Sequence, residues 1–207
     1  MNYEFPEALI IQFAKAPQLG QVKTRMQPVL SVEQSLELHR QLVQRTHEML
    51  HCETLCPSQL WVSGEDCDGF FQSLEPQPEK RVQQGADLGE RMHRAIELGL
   101  RQFMPVVLIG SDCPAIDSRY LRDALAALES VDVVLGPAED GGYVLIGMKT
   151  AESKVFEDVD WSTSRVLQQT RARLATLMLS YHELPVLNDI DRPEDLAYLE
   201  GQPFLQK

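Results

Sequence analysis

Short apolar runs alternate along the chain with segments whose apolar residues recur at helical spacing. Runs rich in valine, isoleucine and leucine predict strands over residues 8–14, 60–64, 105–109, 131–136, 143–148 and 184–187. A less apolar run predicts a further strand over residues 80–84. Capping pairs and apolar positions three or four residues apart predict helices that begin at Ser31 and Asp87, helices around residues 121–128 and 162–177, and a short terminal helix. This alternation predicts an α/β fold, a three-layer sandwich with helices on both faces of a mostly parallel sheet.

One connection departs from this scheme. The strands at 131–136 and 143–148 are joined by the short segment GPAEDG, which leaves no room for a crossover helix. The pair is therefore expected to be antiparallel or joined by a bent excursion, and an exposed sheet edge near it is a candidate contact for a homodimer. No internal repeat or linker interrupts the sequence, so we expect a single domain over residues 1–207.

The charge balance narrows the choice of partners. The chain carries 31 acidic and 19 basic residues, a formal net charge of −12, which argues against nucleic acid and anionic membrane surfaces as partners. No apolar run approaches the roughly 20 residues that span a bilayer, and no basic start followed by an apolar stretch indicates a signal peptide. Four cysteines are too few for a disulfide framework in a chain of this length. These features are typical of a cytoplasmic protein with free thiols.

The run PVVLIGSDCP leads from a predicted buried strand directly into Asp112. In open α/β sheets, ligands bind beyond the carboxyl ends of the strands, so this carboxylate is well placed for a divalent cation or a substrate hydroxyl. The alternative is that Asp112 only forms a turn or caps the next helix. The neighbouring Cys113 has no histidine or other base in a recognisable relation to it, which argues against a thiol enzyme.

The segment FAKAPQLGQVKTRM follows the first predicted strand and precedes a helix, a position where α/β folds bind phosphates. Lys15, Lys23 and Arg25 place three cations in this segment of an otherwise acidic chain. Gly20 and a proline would bend and stiffen it. No P-loop or Gly-x-Gly-x-x-Gly pattern is present, and a solvated loop remains the alternative.

Three further segments are candidates for binding, and each has a structural alternative. QQGADLGERM surrounds a helix start, where Asp87 and Glu90 would also form an ordinary cap. GPAEDGGYVLIG places two carboxylates before a Gly-Gly pair, which a tight turn alone would explain. NDIDRPEDL contains Asp191 and by itself indicates a helix N-terminus.

Taken together, these motifs resemble the nucleotide-diphospho-sugar transferase superfamily, which has the GT-A-type fold. The similarity is strongest to a glycosyltransferase-like or nucleotidyltransferase-like group related to the 2-phospho-lactate and molybdenum cofactor guanylyltransferases. The matching pieces are FAKAPQLGQVKTR, ADLGERM, GSDCPAI, GPAEDGGYVLIG, WSTSRV and DIDRPEDL, which extend from residue 13 to residue 196. The first loop departs from the superfamily pattern, because Gly20 is its only glycine.

The resemblance implies a role for each matching residue. Lys23, Arg25 and Asp112 take catalytic positions, and Asp112 and Asp191 hold a divalent metal, Mg²⁺ or Mn²⁺. The implied nucleotide-binding residues are Ala14, Lys15, Gly20, Lys23, Arg25, Gly85, Asp87 and Ser111. The implied acceptor-binding residues are Glu139, Asp140, Gly141, Gly142, Tyr143, Trp161, Ser162 and Thr163.

Three functions share this apparatus. A nucleotidyltransferase would combine a nucleoside triphosphate with a phosphorylated acceptor and release pyrophosphate, whereas a glycosyltransferase would pass a sugar from a nucleotide-diphospho-sugar to an acceptor. A nucleotide-binding protein without turnover is the third. The three cations of the first loop favour nucleotidyl transfer, because a triphosphate needs more charge neutralisation. Glycosyltransferases often carry an Asp-x-Asp pair, and only Ser111 and Asp112 stand at that place here. This difference also favours nucleotidyl transfer.

Overall fold

The computed structural model describes residues 2–52 and 54–199, which are built around one seven-stranded sheet. The strands are Leu9–Lys15 (β1), Ser58–Ser63 (β2), Lys80–Val82 (β3), Val106–Gly110 (β4), Val133–Pro137 (β5), Tyr143–Met148 (β6) and Tyr181–Glu183 (β7). Their order across the sheet is β3-β2-β1-β4-β6-β5-β7, and only β6 runs antiparallel to its neighbours. The prediction of a mostly parallel sheet with an antiparallel excursion is confirmed.

Four α-helices connect these strands: Val32–Cys52 (α1), Leu88–Gly99 (α2), Ser118–Ala127 (α3) and Val166–Thr176 (α4). The predicted caps are present. Ser31 and Gln34 exchange hydrogen bonds of 2.9 and 3.2 Å at the start of α1, and Asp87 accepts one of 2.8 Å from Glu90 N at the start of α2. No helix in the described ranges combines the length and apolarity that a membrane span requires.

The sheet divides the core into two layers, one on each face. Ile10 of β1 and Val107 of β4 pack in a cluster with α1 and α3, whereas Leu9, Ile11 and Val106 pack on the opposite face with α2 and α4. Successive side chains of a strand point to opposite faces, so continuous apolar runs in β1 and β4 supply both layers. The central strands are therefore rigidly held, and the loops that follow them start from fixed positions.

Two predicted elements begin at clearly different residues in the structure. The last strand is Tyr181–Glu183 rather than 184–187, because Pro185 has no N–H to donate to the ladder. The chain still follows β5 there, since Leu184 N donates to Leu135 O at 2.9 Å. The last long helix begins at Val166 rather than near Ser162, whose left-handed backbone (φ 65°) places it in a turn.

Candidate functional site

The site lies where the neighbouring parallel strands β1 and β4 end side by side, with Phe13 paired with Gly110. Ser111 follows β4, and its buried hydroxyl donates to Phe13 O at 2.7 Å. The same hydroxyl accepts a 3.0 Å hydrogen bond from the buried amide of Gln12. Ser111 therefore ties the two strand ends together and positions Asp112, and its hydroxyl is turned toward the protein.

Asp112 faces the first loop. Lys23 Nζ lies 2.6 Å from Asp112 Oδ1 and also donates to Ile190 O, and Ile190 N donates to Asp112 O at 2.8 Å. The Lys23 side chain is only 3% exposed, whereas that of Asp112 is 48% exposed, so part of this carboxylate remains open to the solvent. Burial opposes ionisation of Asp112, but the positive charge of Lys23 outweighs it and holds the pKa of Asp112 below the ordinary value.

Arg25 and Asp191 form a second ion pair beside the first. Arg25 Nη1 and Asp191 Oδ2 are 2.6 Å apart, and both side chains are partly exposed. Asp191 follows Ile190, whose N–H donates to Asp112 O, so the two predicted metal ligands lie in the same region. Each of them is paired with a cation of the first loop. The backbone around Asp191 is held by Asp195, whose Oδ2 accepts from Asp191 N at 2.9 Å.

The carboxylates of Asp112 and Asp191 are suited to a divalent cation that takes its other ligands from substrate and water. Asp112 Oδ1 contacts Lys23 Nζ, but 48% of the Asp112 side chain is exposed, and carboxylate oxygens are the ligands that Mg²⁺ and Mn²⁺ prefer. Within residues 2–52 and 54–199, however, no group of three or more His, Cys, Asp or Glu side chains is arranged to hold a metal. A metal here would need substrate phosphates and water to complete its coordination.

Asp189 is a site residue that the sequence reasoning missed. Burial and the charges of Asp140 and Asp112 raise its pKa to about 6. Three carboxylates from three separate segments therefore influence one another in this region. The motif NDIDRPEDL contains both Asp189 and Asp191, but only Asp191 was predicted as a site residue from the sequence.

A cavity of about 290 Å³ opens on one side of Asp112. Four predicted nucleotide-binding or catalytic residues line it, namely Ala14, Lys15, Ser111 and Asp112. The predicted acceptor residue Tyr143 also lines this cavity, while Gly20, Gly85 and Asp87 do not. Its remaining walls are largely apolar and come from β1, β4, α2 and β6.

Four polar residues of this cavity, His39, Ser63, Gln83 and Arg91, were not predicted as site residues, and two of them make hydrogen bonds at the end of β1. The Gln83 amide donates to Trp61 O at 2.9 Å and to Ala14 O at 3.3 Å, so its orientation is fixed. The buried His39 donates from Nε2 to Lys15 O at 2.9 Å, and burial lowers its pKa, which favours the neutral ring. Both side chains donate hydrogen bonds to backbone carbonyl groups at the end of β1. Gln83 is the first residue of the motif QQGADLGERM, but neither it nor His39 was predicted as a site residue, because the role of each depends on a long-range contact.

The other predicted nucleotide residues have mainly structural contacts. Lys15 Nζ donates to Gln21 O at 2.8 Å and so closes the first loop on itself. Gly20 has a positive φ of 74°, which a turn in this loop requires. Asp87 acts as the cap of α2, the alternative considered for it from the sequence, and Gly85 precedes that cap with φ 150°.

A second cavity, of about 570 Å³, is lined by the β5–β6 turn, the loop before α4 and the segment 188–195. Glu139, Asp140, Ser162 and Thr163, all predicted acceptor residues, line it together with Arg25. Their segments were far apart in the sequence, and the fold makes them neighbours.

Gly141 allows the β5–β6 turn and the loop before α4, which both line the second cavity, to lie close together. Its φ is 89°, and a Cβ at this position would lie 2.2 Å from Ser164 O. Leu167 N donates to Gly141 O at 2.9 Å across the same contact. Trp161, another predicted acceptor residue, instead packs against Gly89 of α2, where a Cβ would lie 2.6 Å from the indole ring.

Cys113 is not suited to nucleophilic chemistry. It is 2% exposed, and burial raises the pKa of its thiol to about 11. The reactive thiolate of Cys113 is therefore scarce at neutral pH.

The overall fold is shared with known structures. A crystal structure from Desulfovibrio desulfuricans G20, of a protein provisionally assigned as a nucleotide-diphospho-sugar transferase, is 32% identical with a TM-score of 0.87, and the match covers 96% of this chain and 89% of that one. CMP:2-keto-3-deoxy-manno-octonic acid synthetase complexed with CTP has a TM-score of 0.60 at 10% identity, covering 94% of this chain and 97% of that one, which shows the fold alone. The chain thus has the nucleotide-diphospho-sugar transferase fold predicted from its motifs.

Residues 46–163 match the family described as "Uncharacterized protein conserved in bacteria (DUF2064)", and the chain belongs to that family. A 2-phospho-L-lactate guanylyltransferase from Methanocaldococcus jannaschii is 25% identical over 92 residues. That match covers 44% of this chain and 41% of the relative, so the similarity spans about two fifths of each protein.

Proposed function

We propose that this protein is a metal-dependent nucleotidyltransferase that transfers a nucleotidyl group from a nucleoside triphosphate to a small-molecule acceptor. The observation that carries the proposal is the two ion pairs Lys23–Asp112 and Arg25–Asp191, of which Asp112 lines the first cavity and Arg25 and Asp191 line the second. The partial similarity to a guanylyltransferase supports the same reaction class.

The smaller cavity suits the nucleoside. Apolar residues such as Phe13, Leu108 and Ile146 offer contacts to a base, and Ser63 and Arg91 add polar groups. The Gln83 amide group already donates to two carbonyls, so its Oε1 is the atom left to accept from a base N–H. A base that presents such a donor would be held in one orientation.

The charged centre suits the phosphates. Arg25 is 56% exposed and can exchange its contact with Asp191 for phosphate oxygens, which its planar fork matches. Lys23 is buried and offsets negative charge close to Asp112. Asp112 and Asp191 would hold the metal, which when bound supplies Lewis-acid polarisation of the phosphate and neutralises its charge.

The second cavity is then the acceptor site. An acceptor oxygen bound there forms a new bond to the α-phosphorus while the bond to the β-phosphate breaks, and pyrophosphate leaves with the electron pair. The residues of the protein do not need to supply a nucleophile. Their contribution is positioning and charge neutralisation.

Glycosyl transfer from a nucleotide-diphospho-sugar is the second candidate, and the 32% identical relative assigned to that class favours it. The same two cavities would then hold the nucleotide diphosphate and the sugar with its acceptor. The products separate the two reactions, because glycosyl transfer releases a nucleoside diphosphate and no pyrophosphate.

The test combines binding and turnover. Thermal unfolding of the purified protein is measured with ATP, GTP, CTP, UTP and nucleotide-sugars, each with and without Mg²⁺ or Mn²⁺, and pyrophosphate release is followed with an acceptor library. We expect a metal-dependent shift for at least one triphosphate, lost in Asp112→Asn and retained in the control Asp123→Asn on the surface of α3. The absence of both a shift and pyrophosphate release across all four triphosphates would refute nucleotidyl transfer.

A further inference from the structure

The walls of the second cavity carry a strong excess of negative charge. Six carboxylates and two guanidinium groups line it, a formal excess of four negative charges: Glu139, Asp140, Asp189, Asp191, Glu194 and Asp195 against Arg25 and Arg192. A divalent cation at Asp112 would offset only two of these charges. The cavity would therefore remain anionic in the loaded enzyme.

Some of these carboxylates are already engaged within the protein. Asp191 is paired with Arg25, and Asp195 accepts hydrogen bonds from Asp191 N and Arg192 N at 2.9 and 2.6 Å. Glu139 and Glu194, in contrast, have exposed side chains without an ion pair or side-chain hydrogen bond among the described residues. They face the cavity from opposite segments and are available to a ligand.

The hydroxyl groups of the cavity come from the loop before α4. Ser162, Thr163 and Ser164 all line it, and the hydroxyl of Thr163 is directed to Asp160 O at 2.7 Å. Carboxylates accept short, strong hydrogen bonds from hydroxyl donors, and serine hydroxyls can donate or accept. The wall therefore matches a ligand with several O–H groups, and it would repel one that carries a phosphate or carboxylate.

From these observations we infer that the acceptor is an uncharged, polyhydroxylated molecule, such as a sugar or polyol, and not a phosphorylated compound. The inference rests on the proposed function, because it assigns the second cavity to the acceptor. It replaces the phosphorylated acceptor expected from the family resemblance. When an acceptor hydroxyl attacks the α-phosphorus, its oxygen forms the new P–O bond, pyrophosphate leaves with the electron pair, and the proton passes to water in the open cavity.

The first experiment compares acceptors that differ only in a phosphate. Pyrophosphate release by the wild-type protein is measured with Mg²⁺ and the four nucleoside triphosphates, with glycerol against glycerol 3-phosphate and with several hexoses against their 1-phosphates. We expect kcat/KM to favour the uncharged member of a pair by about 100-fold, since like charges across a desolvated contact are strongly unfavourable. Preference for the phosphorylated members would overturn the inference and leave the proposed function standing.

Two double variants then test whether the cavity charges cause the preference. Glu139→Gln with Glu194→Gln removes two cavity carboxylates at constant side-chain size, and Glu7→Gln with Glu129→Gln removes two exposed carboxylates elsewhere. The cavity double variant is expected to lower the kcat/KM preference for uncharged acceptors by about tenfold. The control double variant is expected to leave that preference unchanged, because interactions with distant exposed charges are screened. Equal effects of the two double variants would contradict the inference.

A second experiment does not depend on turnover. Backbone amide relaxation is measured by NMR with a cationic amino-nitroxide and an anionic carboxy-nitroxide of similar size. For the amides of residues 139–142, 188–192 and 194–195 we expect the cationic probe to enhance relaxation about five-fold more than the anionic probe. The Glu139→Gln/Glu194→Gln protein, which lacks two of the four excess negative charges, is expected to lose about half of this difference. An equal or stronger effect of the anionic probe would refute the inference even if no nucleotide binds and the proposed function has failed.

Discussion

Replacing Lys23 with methionine removes the cation that faces Asp112 while keeping a side chain of similar length. In the native structure Lys23 Nζ lies 2.6 Å from Asp112 Oδ1, and the lysine also donates to Ile190 O. The substitution therefore leaves one carboxylate and one carbonyl without their partner. Both residues at position 23 are non-glycine, so the left-handed backbone there (φ 49°) has a similar cost in the two proteins.

The expected loss of stability follows from the exposure of the two partners. Two unit charges at 2.6 Å attract by about 6 kcal/mol at an effective dielectric constant of 20. The Asp112 side chain is 48% exposed, so water screens much of this attraction, and we expect a net coupling of about 2 kcal/mol, between the values for surface and buried pairs. Loss of the hydrogen bond to Ile190 O adds about 1 kcal/mol.

Urea unfolding of the wild type, Lys23→Met, Asp112→Asn and the double variant measures this coupling in a double-mutant cycle. Lys23→Met should lower the free energy of unfolding by about 3 kcal/mol at pH 7. Asp112→Asn should make the loss of Lys23 less costly, because the asparagine carries no charge to be left uncompensated. A coupling below about 0.5 kcal/mol would show that the ion pair does not stabilise the protein.

The pH dependence gives an independent check on the same pair. The pKa of Asp112 lies below its ordinary value in the folded protein, so its stabilising contribution is fully present above about pH 4. It is lost as the pH falls through the folded-state pKa, where the carboxylate takes up a proton. The coupling measured at pH 7 should therefore shrink as the pH is lowered to about 3, and a coupling independent of pH would contradict an electrostatic origin.

Three further results are expected. Gly141→Ala should lower the free energy of unfolding in urea by about 3 kcal/mol, because the φ of Gly141 is positive and an added Cβ would overlap Ser164 O. Gly142→Ala, whose Cβ would meet only the flexible Asp140 side chain at 3.1 Å, should cost under about 1 kcal/mol, and equal losses would argue against the overlap at Gly141. Asp87→Ala should cost about 1 kcal/mol and Asp87→Ser much less, since the side chain caps α2; equal losses would show a role other than capping. Iodoacetamide at pH 8 should alkylate the exposed Cys67 much faster than Cys113, whose thiol has a pKa of about 11, as measured by mass spectrometry; rapid alkylation of Cys113 would refute its burial.

Much of the fold was predictable because it depends on local pattern. The continuous apolar runs of β1 and β4 predicted strands buried on both faces, and the short connection before β6 predicted the antiparallel pair. The caps at Ser31 and Asp87 fixed the starts of two helices. Prediction was wrong where one residue type changed the backbone, as Pro185 did at the last strand.

The sequence by itself determined the strand–helix order and, through the ends of the strands, the choice of Asp112 and the cations of the first loop as candidates for chemistry. Only the tertiary structure decided that Lys23 is buried against Asp112 and that Arg25 pairs with Asp191, because these contacts join residues far apart in the chain. It also brought Asp189 and the fixed amide of Gln83 into the site. The charge of the acceptor cavity is likewise a tertiary property, since a carboxylate repels its neighbours according to distance and burial, which a linear pattern does not contain.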